Sequence, residues 1–343
     1  MTHSAGQAGR GTLVFIGVDT GGSSIMGLFP KWAGLLGLDA RIEGWDLPLG
    51  AGPAAYREAV GRLAGDPGIA GALVTSHKLG VYRHAGELFD ELDRYARLCR
   101  EVSCISRHDG RLLGQAKDPI TAGMALEDLL GPGRRLDRIG QVLCLGAGGA
   151  GTAICVRLLT GGPAPARITV ADRDAGRLAT LGEICAGLDA GRVELARVAG
   201  PGQVDALLAG LPGGSLVINA TGKGKDVPGS PLGGRARFPD RALVWDLNYR
   251  GDLRFLRQAS AQAGARRLEL HDGWRYFLHG WSQHIAQVYG LELPPPLFER
   301  LAGVAEPLRQ PTPATGRTGP ARVWAAVPAG TGGAAGLAVS QGW

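Results

Sequence analysis

Short apolar runs alternate along the chain with segments whose apolar residues recur every three or four positions. The runs have the length of buried strands, and the spacing in the other segments is typical of helices that pack one face on a sheet. Strands are predicted at residues 12–18, 41–47, 69–75, 102–106, 112–116, 141–145, 167–171, 193–198, 215–221, 242–247 and 268–270. Helices are predicted at residues 28–38, 54–63, 82–100, 118–130, 152–159, 204–209, 254–263 and 275–289. This alternation predicts an α/β fold with parallel sheets, interrupted by one hairpin at residues 108–111.

One turn of this predicted fold carries a dinucleotide-binding pattern. It follows the apolar run 141–145, precedes a helix and consists of Gly146, Ala147, Gly148, Gly149, Ala150 and Gly151. In such a turn the first glycine permits the bend, the second lets backbone approach a diphosphate, and the third lets the helix pack on the strand. The next strand ends at Asp172, where an acidic side chain can meet the adenine ribose. We therefore expect a dinucleotide with its diphosphate at the start of this helix.

Composition excludes several other classes of protein. The 343 residues are enough for two domains, and no apolar run reaches the length of a membrane span. The net charge of +6 comes from scattered arginines, which favours a solvated basic surface over a nucleic-acid site. Residues 1–12 lack the apolar segment of a secretory signal, and the five cysteines form no Cys-x-x-Cys pair, so we expect a cytoplasmic protein without disulfides. No histidines, cysteines and acids have metal-ligand spacing, and the oligomeric state stays open.

Five segments, in the same order, resemble shikimate dehydrogenase and its quinate- and aminoshikimate-using relatives. They are a strand end that leads to a lysine (73–78), an aspartate with a glycine five residues on (118–123), the glycine-rich turn (146–151), Ile-Asn-Ala-Thr (218–221) and Asp-x-x-Tyr (246–249). The resemblance implies a substrate domain at 12–123, a Rossmann domain that binds NAD or NADP at 124–274, and C-terminal helices at 275–305 that pack back on the first domain. Residues 309–343, rich in Pro, Thr, Gly and Ala, are expected to form a disordered tail.

The same resemblance implies that Lys78 and Asp118 are catalytic. Transfer of a hydride between a secondary alcohol and a nicotinamide needs a group that exchanges the hydroxyl proton, and a lysine beside an aspartate can provide it. The sequence leaves open which of the two holds the proton. Simpler interpretations are a solvated cation for Lys78 and a helix N-cap for Asp118, which Pro119 follows.

The residues implied to bind substrate are Ser23, Thr75, Ser103 and Tyr249. Several polar residues of the family pattern are replaced, and their positions are occupied by Ile25, Leu73, Ser103 and Gly280. We therefore expect shikimate itself to be a poor substrate. Lys117 and Glu101, if they face the cleft, would suit an amino- or phosphate-bearing ring. His77 is expected on the surface, with a substrate contact as the alternative.

The cofactor prediction is NAD, with NADP possible. Asp172 can bind both ribose hydroxyls and would repel a 2′-phosphate, and Asp174 adds a second negative charge. Arg173 opposes them, since an arginine at this point clamps the phosphate of NADP in shikimate dehydrogenases. The predicted cofactor site is completed by Asn219, Ala220, Thr221 and Gly273.

These features together predict an oxidoreductase that interconverts a secondary alcohol and a ketone on a small cyclic polyol. One alternative is a non-catalytic cofactor-binding sensor of the same fold, which the altered substrate residues permit. Another is an enzyme of the methylene-tetrahydrofolate dehydrogenase type, against which the pairing of Lys78 with Asp118 argues.

Overall fold

The computed structural model describes residues 9–225 and 227–313. In these ranges the chain forms two six-stranded sheets, each flanked by helices. None of the helices in the described part of the chain is long and apolar enough to cross a membrane. The predicted disordered tail lies outside the described residues from residue 314 onward. All five cysteines are buried with free thiols.

The strands and helices follow the predicted alternation closely. The strands are β1 (Arg10–Gly17), β2 (Asp39–Asp46), β3 (Ile69–Val74), β4 (Glu91–Leu92), β5 (Cys104–His108), β6 (Arg111–Gln115), β7 (Val142–Leu145), β8 (Ile168–Asp172), β9 (Val193–Arg197), β10 (Leu216–Asn219), β11 (Leu243–Asp246) and β12 (Glu269–His271). The helices are α1 (Ser24–Leu36), α2 (Pro53–Gly65), α3 (Lys78–Ala85), α4 (Arg94–Cys99), α5 (Asp118–Leu130), α6 (Gly149–Thr160), α7 (Ala175–Ala186), α8 (Pro201–Ala209), α9 (Arg254–Arg266), α10 (Trp274–Tyr289) and α11 (Pro295–Ala305).

The first sheet has the strand order β2-β1-β3-β5-β6-β4. Strands β1, β2 and β3 are parallel, whereas β5 is antiparallel to both β3 and β6. The two-residue turn between β5 and β6 consists of Asp109 and Gly110, both with positive φ, which is the turn that suits the twist of a hairpin. The predicted hairpin is therefore confirmed. It brings the ends of β3 and β6, and the helices that follow them, close together.

The second sheet is entirely parallel, with the order β12-β11-β10-β7-β8-β9. Its central strands β7, β10 and β11 are buried along their whole length, as expected for strands covered by helices on both faces. The chain proceeds from β7 in one direction to β8 and β9, and in the other to β10. Such a reversal opens a crevice at the carboxyl end of the central strands, where the glycine-rich turn lies. The predicted α/β fold is confirmed.

The two C-terminal helices pack on the first sheet. Trp32 of α1 donates its indole N–H to the carbonyl of Leu301 in α11 at 2.9 Å. The hydroxyl of Tyr289, at the end of α10, donates to the carbonyl of Gly11 at 3.2 Å. The rings of Phe15 and Trp281 meet edge to face with centroids 5.0 Å apart. The core of the first sheet is thus completed by the last helices of the chain.

One predicted element was wrong, and one helix was missed. Residues 82–100 were predicted as one helix, but they form the end of α3, the edge strand β4 and the short helix α4. The Asp90 carboxylate accepts the N–H of Leu112 and the Asp93 carboxylate accepts that of Ala96, which ties this segment to the sheet edge and starts α4 afresh. Helix α7 was not predicted, although Asp174 caps it.

Candidate active site

Lys78 and Asp118 meet at the edge of the first sheet. Lys78 begins α3 shortly after β3, and Asp118 begins α5 shortly after β6. The Lys78 ammonium donates a hydrogen bond to Asp118 Oδ2. The side chains are 19% and 8% exposed, so the pair is largely withdrawn from water while the lysine stays accessible. The structure therefore brings together the two residues that were predicted to be catalytic.

The electrostatics of this pair locate the proton on the lysine. Burial lowers the pKa of Lys78, but the charges of Asp118 and Glu101 outweigh burial and leave this pKa above its ordinary value. Burial raises the pKa of Asp118, but the Lys78 charge and hydrogen bond outweigh it and hold the pKa below its usual range. The resting pair is thus an ammonium beside a carboxylate, which answers the question that the sequence left open.

Two buried residues, Ser103 and His284, lie near the Asp118 carboxylate. Ser103 is completely buried; its hydroxyl accepts the N–H of Lys117 at 2.8 Å and bonds Asp118. His284 of α10 donates from Nδ1 to the carbonyl of Gly280 at 2.5 Å, which leaves Nε2 as a buried acceptor without a partner among the described residues. Burial lowers the pKa of His284 to about 4, although the Asp118 charge opposes this. The imidazole is therefore neutral at physiological pH.

Glu101 lies beside the same pair and reaches towards the other sheet. Only 1% of the residue is exposed, and neither carboxylate oxygen has a hydrogen-bond partner in the described part of the chain. A Cβ built on Gly149, the first residue of α6, would lie 3.2 Å from Glu101 Oε2. Burial and the Asp118 charge raise the pKa of Glu101 to about 8, with Lys78 opposing them. The sequence suggested only that Glu101 could face the cleft; its place beside Gly149 comes from tertiary packing.

The remaining substrate candidates differ in burial and in their contacts. Thr75 follows β3, is half-buried and donates its hydroxyl to the Ile16 carbonyl at 3.3 Å. The Tyr249 ring packs against Trp274 and Phe277, with centroids 5.4 and 4.7 Å apart. Ser23 precedes α1, and its side chain makes no capping bond to the helix. As substrate ligands these residues stay predictions.

The apolar replacements are part of the core. Ile25 is 0% exposed and Leu73 is 5% exposed, and both belong to the apolar cluster that contains Trp281. Gly280 has open space where a side chain would stand. None of these three positions offers a side-chain hydrogen-bond donor to a ligand. The Lys117 ammonium contacts the amide oxygen of Gln287 on α10.

His77 was predicted to lie on the surface, and this was wrong. It is 3% exposed. Its Nε2 donates to the carbonyl of Leu47 at 3.0 Å, and its Nδ1 accepts the hydroxyl of Tyr56 at 3.1 Å. Tyr56 in turn fills the space left by Gly80, where a Cβ would lie 2.3 Å from the ring. His77 therefore anchors the start of α3, which carries Lys78.

The glycine-rich turn has the geometry that a dinucleotide needs. Gly146 has a φ of +107°, a conformation that favours glycine, and a Cβ there would lie 2.7 Å from the carbonyl oxygen of Ala220. A Cβ on Gly151 would lie 1.9 Å from the carbonyl oxygen of Gly146, so the helix could not approach the strand with any larger residue. Gly148 faces open space. The residues present thus fit a diphosphate at the start of α6.

Asp172 ends β8 and holds the turn from the side. Its Oδ2 accepts the N–H of Ala147 at 2.7 Å, and its Oδ1 accepts the N–H of Asp174 at 2.9 Å. Next to it, Arg173 and Arg197 line a surface cavity of about 430 Å³. The carboxylate predicted for NAD and the cations suited to a phosphate therefore lie side by side.

A buried polar network shapes the other wall of the cofactor crevice. Asn219 Nδ2 donates to Asp246 Oδ1 at 3.0 Å, and Asn219 Oδ1 accepts the Thr221 hydroxyl at 2.7 Å. Burial raises the pKa of Asp246 to about 7, despite bonds from Asn248 and Asn219. Gly273 lies so close to the neighbouring strand end that a Cβ would stand 1.9 Å from the Leu247 carbonyl oxygen. The sequence pointed to Asn219, Thr221 and Gly273 as cofactor ligands. In the structure these residues also hold together the strand ends that line the crevice.

Comparison with known sequences shows which proteins this chain is similar to. No family model matches the chain. A shikimate dehydrogenase (NADP(+)) from Rhodospirillum rubrum is 35% identical over 213 residues, which cover 61% of this chain and 69% of that protein. A shikimate dehydrogenase (NADP(+)) from Methylobacterium radiotolerans is 32% identical over 253 residues, covering 72% of this chain and 80% of that protein.

Solved structures share the fold over nearly the whole described chain. Shikimate 5-dehydrogenase from Thermus thermophilus, in complex with NADP(H) and shikimate, aligns with a TM-score of 0.63 at 24% identity and covers 86% of this chain and 100% of that one. Quinate dehydrogenase from Corynebacterium glutamicum, in complex with NAD, aligns with a TM-score of 0.66 at 21% identity and covers 87% and 99%.

Proposed function

Because this chain belongs to the shikimate dehydrogenase family, we propose that Lys78 and Asp118 exchange the hydroxyl proton of a small cyclic polyol during its interconversion with a ketone. The protein is an NAD(P)-dependent oxidoreductase, like its curated relatives. The observation that carries the assignment of the two residues is their buried hydrogen bond at the edge of the first sheet. The alternative of a non-catalytic sensor finds no support in the comparisons.

The proton chemistry follows from the state of this pair. A bound nicotinamide supplies or accepts the hydride. In ketone reduction the Lys78 ammonium donates its proton to the carbonyl oxygen, and Asp118 stabilises that ammonium until the transfer. In alcohol oxidation Lys78 must first lose its proton to accept the one from the hydroxyl. Ser103 and His284 act as positioning residues, because they contact or face Asp118 from buried sites.

For substrate binding we assign Thr75, Ser23 and Tyr249 to the ring hydroxyls and its polar substituent. Ser103 is assigned to the support of Asp118 instead, since it is fully buried and its hydroxyl is bonded. The domain division we propose is 12–123 with 275–305 for substrate and 124–274 for cofactor. It is supported by the packing of α10 and α11 on the first sheet. A reducing cytoplasm suits the five free thiols.

For the cofactor we propose NAD as the preferred dinucleotide. The glycine-rich turn with Asp172, Arg173, Asn219, Ala220, Thr221 and Gly273 forms its site. Asp172 at the end of β8 brings a carboxylate to the ribose position, and Asp174 adds negative charge next to it. Arg173 and Arg197 offset part of that charge, so NADP is expected to serve as a weaker cofactor.

A turnover assay tests the proposed function directly. The purified protein is mixed with NAD or NADP and a panel of quinate, shikimate, cyclohexanols and aminocyclitols, and nicotinamide absorbance is followed. We expect substrate-dependent reduction of NAD by at least one polyol, and none with Lys78→Met. Dinucleotide binding without turnover on any member of the panel would contradict the proposal.

A further inference from the structure

We propose that Glu101 faces the bound dinucleotide diphosphate across Gly149 and is compatible with it only as the neutral carboxylic acid. This inference rests on the proposed function, because it takes the diphosphate to sit at the start of α6. It assigns to Glu101 a part in cofactor binding that is distinct from the proton exchange of Lys78 and Asp118.

The first argument is the position of the carboxyl group. Glu101 follows α4 in the first half of the chain, yet its Oε2 lies 3.2 Å from where a Cβ of Gly149 would stand. Gly149 begins α6, and the first N–H groups of a helix have no partner within the helix. Those N–H groups are the ones that bind diphosphate in a dinucleotide fold. Glu101 is therefore an acidic side chain next to the first residue of the helix at which the diphosphate is expected.

The second argument is that, among the described residues, no cation forms an ion pair with Glu101. Both of its oxygens are buried and without hydrogen-bond partners in the described ranges. The Lys78 ammonium is bonded to Asp118 instead. A buried carboxylate in this situation is costly, which favours the protonated acid even before the nucleotide binds.

The third argument concerns what happens when the diphosphate arrives. Two negative groups would then share one helix N-terminus, and like charges at that distance disfavour the ionised carboxylate. The groups that face Glu101 from other elements are Lys78 on α3, Asp118 on α5, Cys99 on α4 and Tyr276 on α10. Among them only Lys78 is a cation. Burial and Asp118 already raise the pKa of Glu101 to about 8, so little free energy is needed to add the proton.

The sign of the effect follows from this proton. Nucleotide binds the protonated form, so affinity is full below the pKa of Glu101 in the free protein and falls as the pH rises through it. With a pKa of about 8, the dissociation constant for NADH should rise roughly 20- to 30-fold between about pH 7 and about pH 9.5. In Glu101→Gln the dissociation constant should be constant over the same range, because the amide carries no titratable proton.

The test is a titration of the full chain with NADH, followed by nicotinamide fluorescence from about pH 7 to about pH 9.5. Glu58→Gln, which changes an exposed glutamate on α2, is the matched control and should titrate like the wild type. A constant affinity in the wild type, or an unchanged pH dependence in Glu101→Gln, would overturn the inference. Absence of NADH and NADPH binding at every pH would instead contradict the proposed function.

A second measurement needs no variant and covers the case in which Glu101→Gln fails to fold. Calorimetric titration of the wild type with NADH, in buffers of different ionisation enthalpy, counts the protons taken up on binding. We expect about 0.9 proton per NADH near pH 9 and about 0.1 near pH 7. Zero uptake near pH 9 would overturn the inference.

Discussion

Replacement of Lys78 by methionine should remove both the proton donor and the counter-ion of Asp118. The Asp118 side chain is only 8% exposed, and its bond to Lys78 is its one ion pair among the described residues. Removal of a group that exchanges a proton with substrate typically costs 10² or more in kcat, so we expect at least about a 100-fold loss. Removal of one partner of a buried ion pair also costs about 3 kcal/mol or more in the free energy of unfolding near pH 8.

The pH dependence of that loss of stability distinguishes the ion pair from simple packing. Without Lys78, burial raises the pKa of Asp118, whereas in the wild type the lysine holds this pKa below its usual range. The variant is therefore penalised most where Asp118 stays charged, and the penalty shrinks as the pH falls and the carboxyl takes up a proton. The double variant Lys78→Met/Asp118→Asn should recover most of the stability near pH 8 while it stays inactive.

Urea unfolding and steady-state kinetics of the two single variants and the double variant measure these effects. Lys31→Met, at an exposed position on α1, is the matched control and should change neither quantity. Because residues that act as a unit are not additive, the double variant should lose about as much kcat as the worse single variant. Wild-type kcat in either single variant, or a double variant as unstable as Lys78→Met, would refute this account of the pair.

Three further predictions concern cofactor, substrate and pH. Asp172→Asn should shift the ratio of kcat/KM for NAD and NADP towards NADP, and Arg173→Gln should shift it towards NAD. A wild-type enzyme with a lower KM for NADP at equal kcat would contradict NAD as the preferred cofactor. Shikimate should be a poor substrate, because two lost hydrogen bonds cost about 2 to 3 kcal/mol, or roughly 30- to 150-fold in kcat/KM; a measured value near or above about 10⁴ M⁻¹s⁻¹ would show that the pocket still fits it. Since the pKa of Lys78 is raised, kcat/KM for alcohol oxidation should increase about tenfold per pH unit below that pKa. The kcat/KM for ketone reduction should fall above the same pKa. An oxidation rate that does not change with pH would argue against Lys78 as the base.

Local sequence patterns were sufficient for most of the fold. The predicted bounds of α5 match those observed, because aspartate and proline start this helix and a glycine ends it. The segment at residues 82–100 could not be predicted, since its helical spacing is overridden by the bond from Leu112 N–H to the Asp90 carboxylate, a contact 22 residues apart. Helix α7 did have a local signal, the Asp174 cap, but that residue was interpreted only as a charge beside the ribose.

The residues of the candidate site also fall into two groups, those that the sequence could predict and those that it could not. Lys78 and Asp118 stand at a strand end and a helix start, so motif and topology together placed them side by side. His284 and Glu101 come from a C-terminal helix and from the loop after α4, and no spacing in the sequence brings them to the pair. Their burial depends on packing between elements far apart in the chain, which only the structure supplies.

The packing of α10 and α11 on the first sheet has a consequence for the order of folding during synthesis. The second sheet is contiguous in sequence and is complete once its last strand, Glu269–His271, has been made. Trp32, by contrast, donates its N–H to the Leu301 carbonyl, which is synthesised 269 residues later. At ribosomal speeds of about 5 to 20 residues per second, that interval lasts on the order of 10 to 50 seconds. During this time the nascent first sheet exposes the apolar face that the last helices will cover, so the half of the chain that is synthesised first is expected to finish folding last.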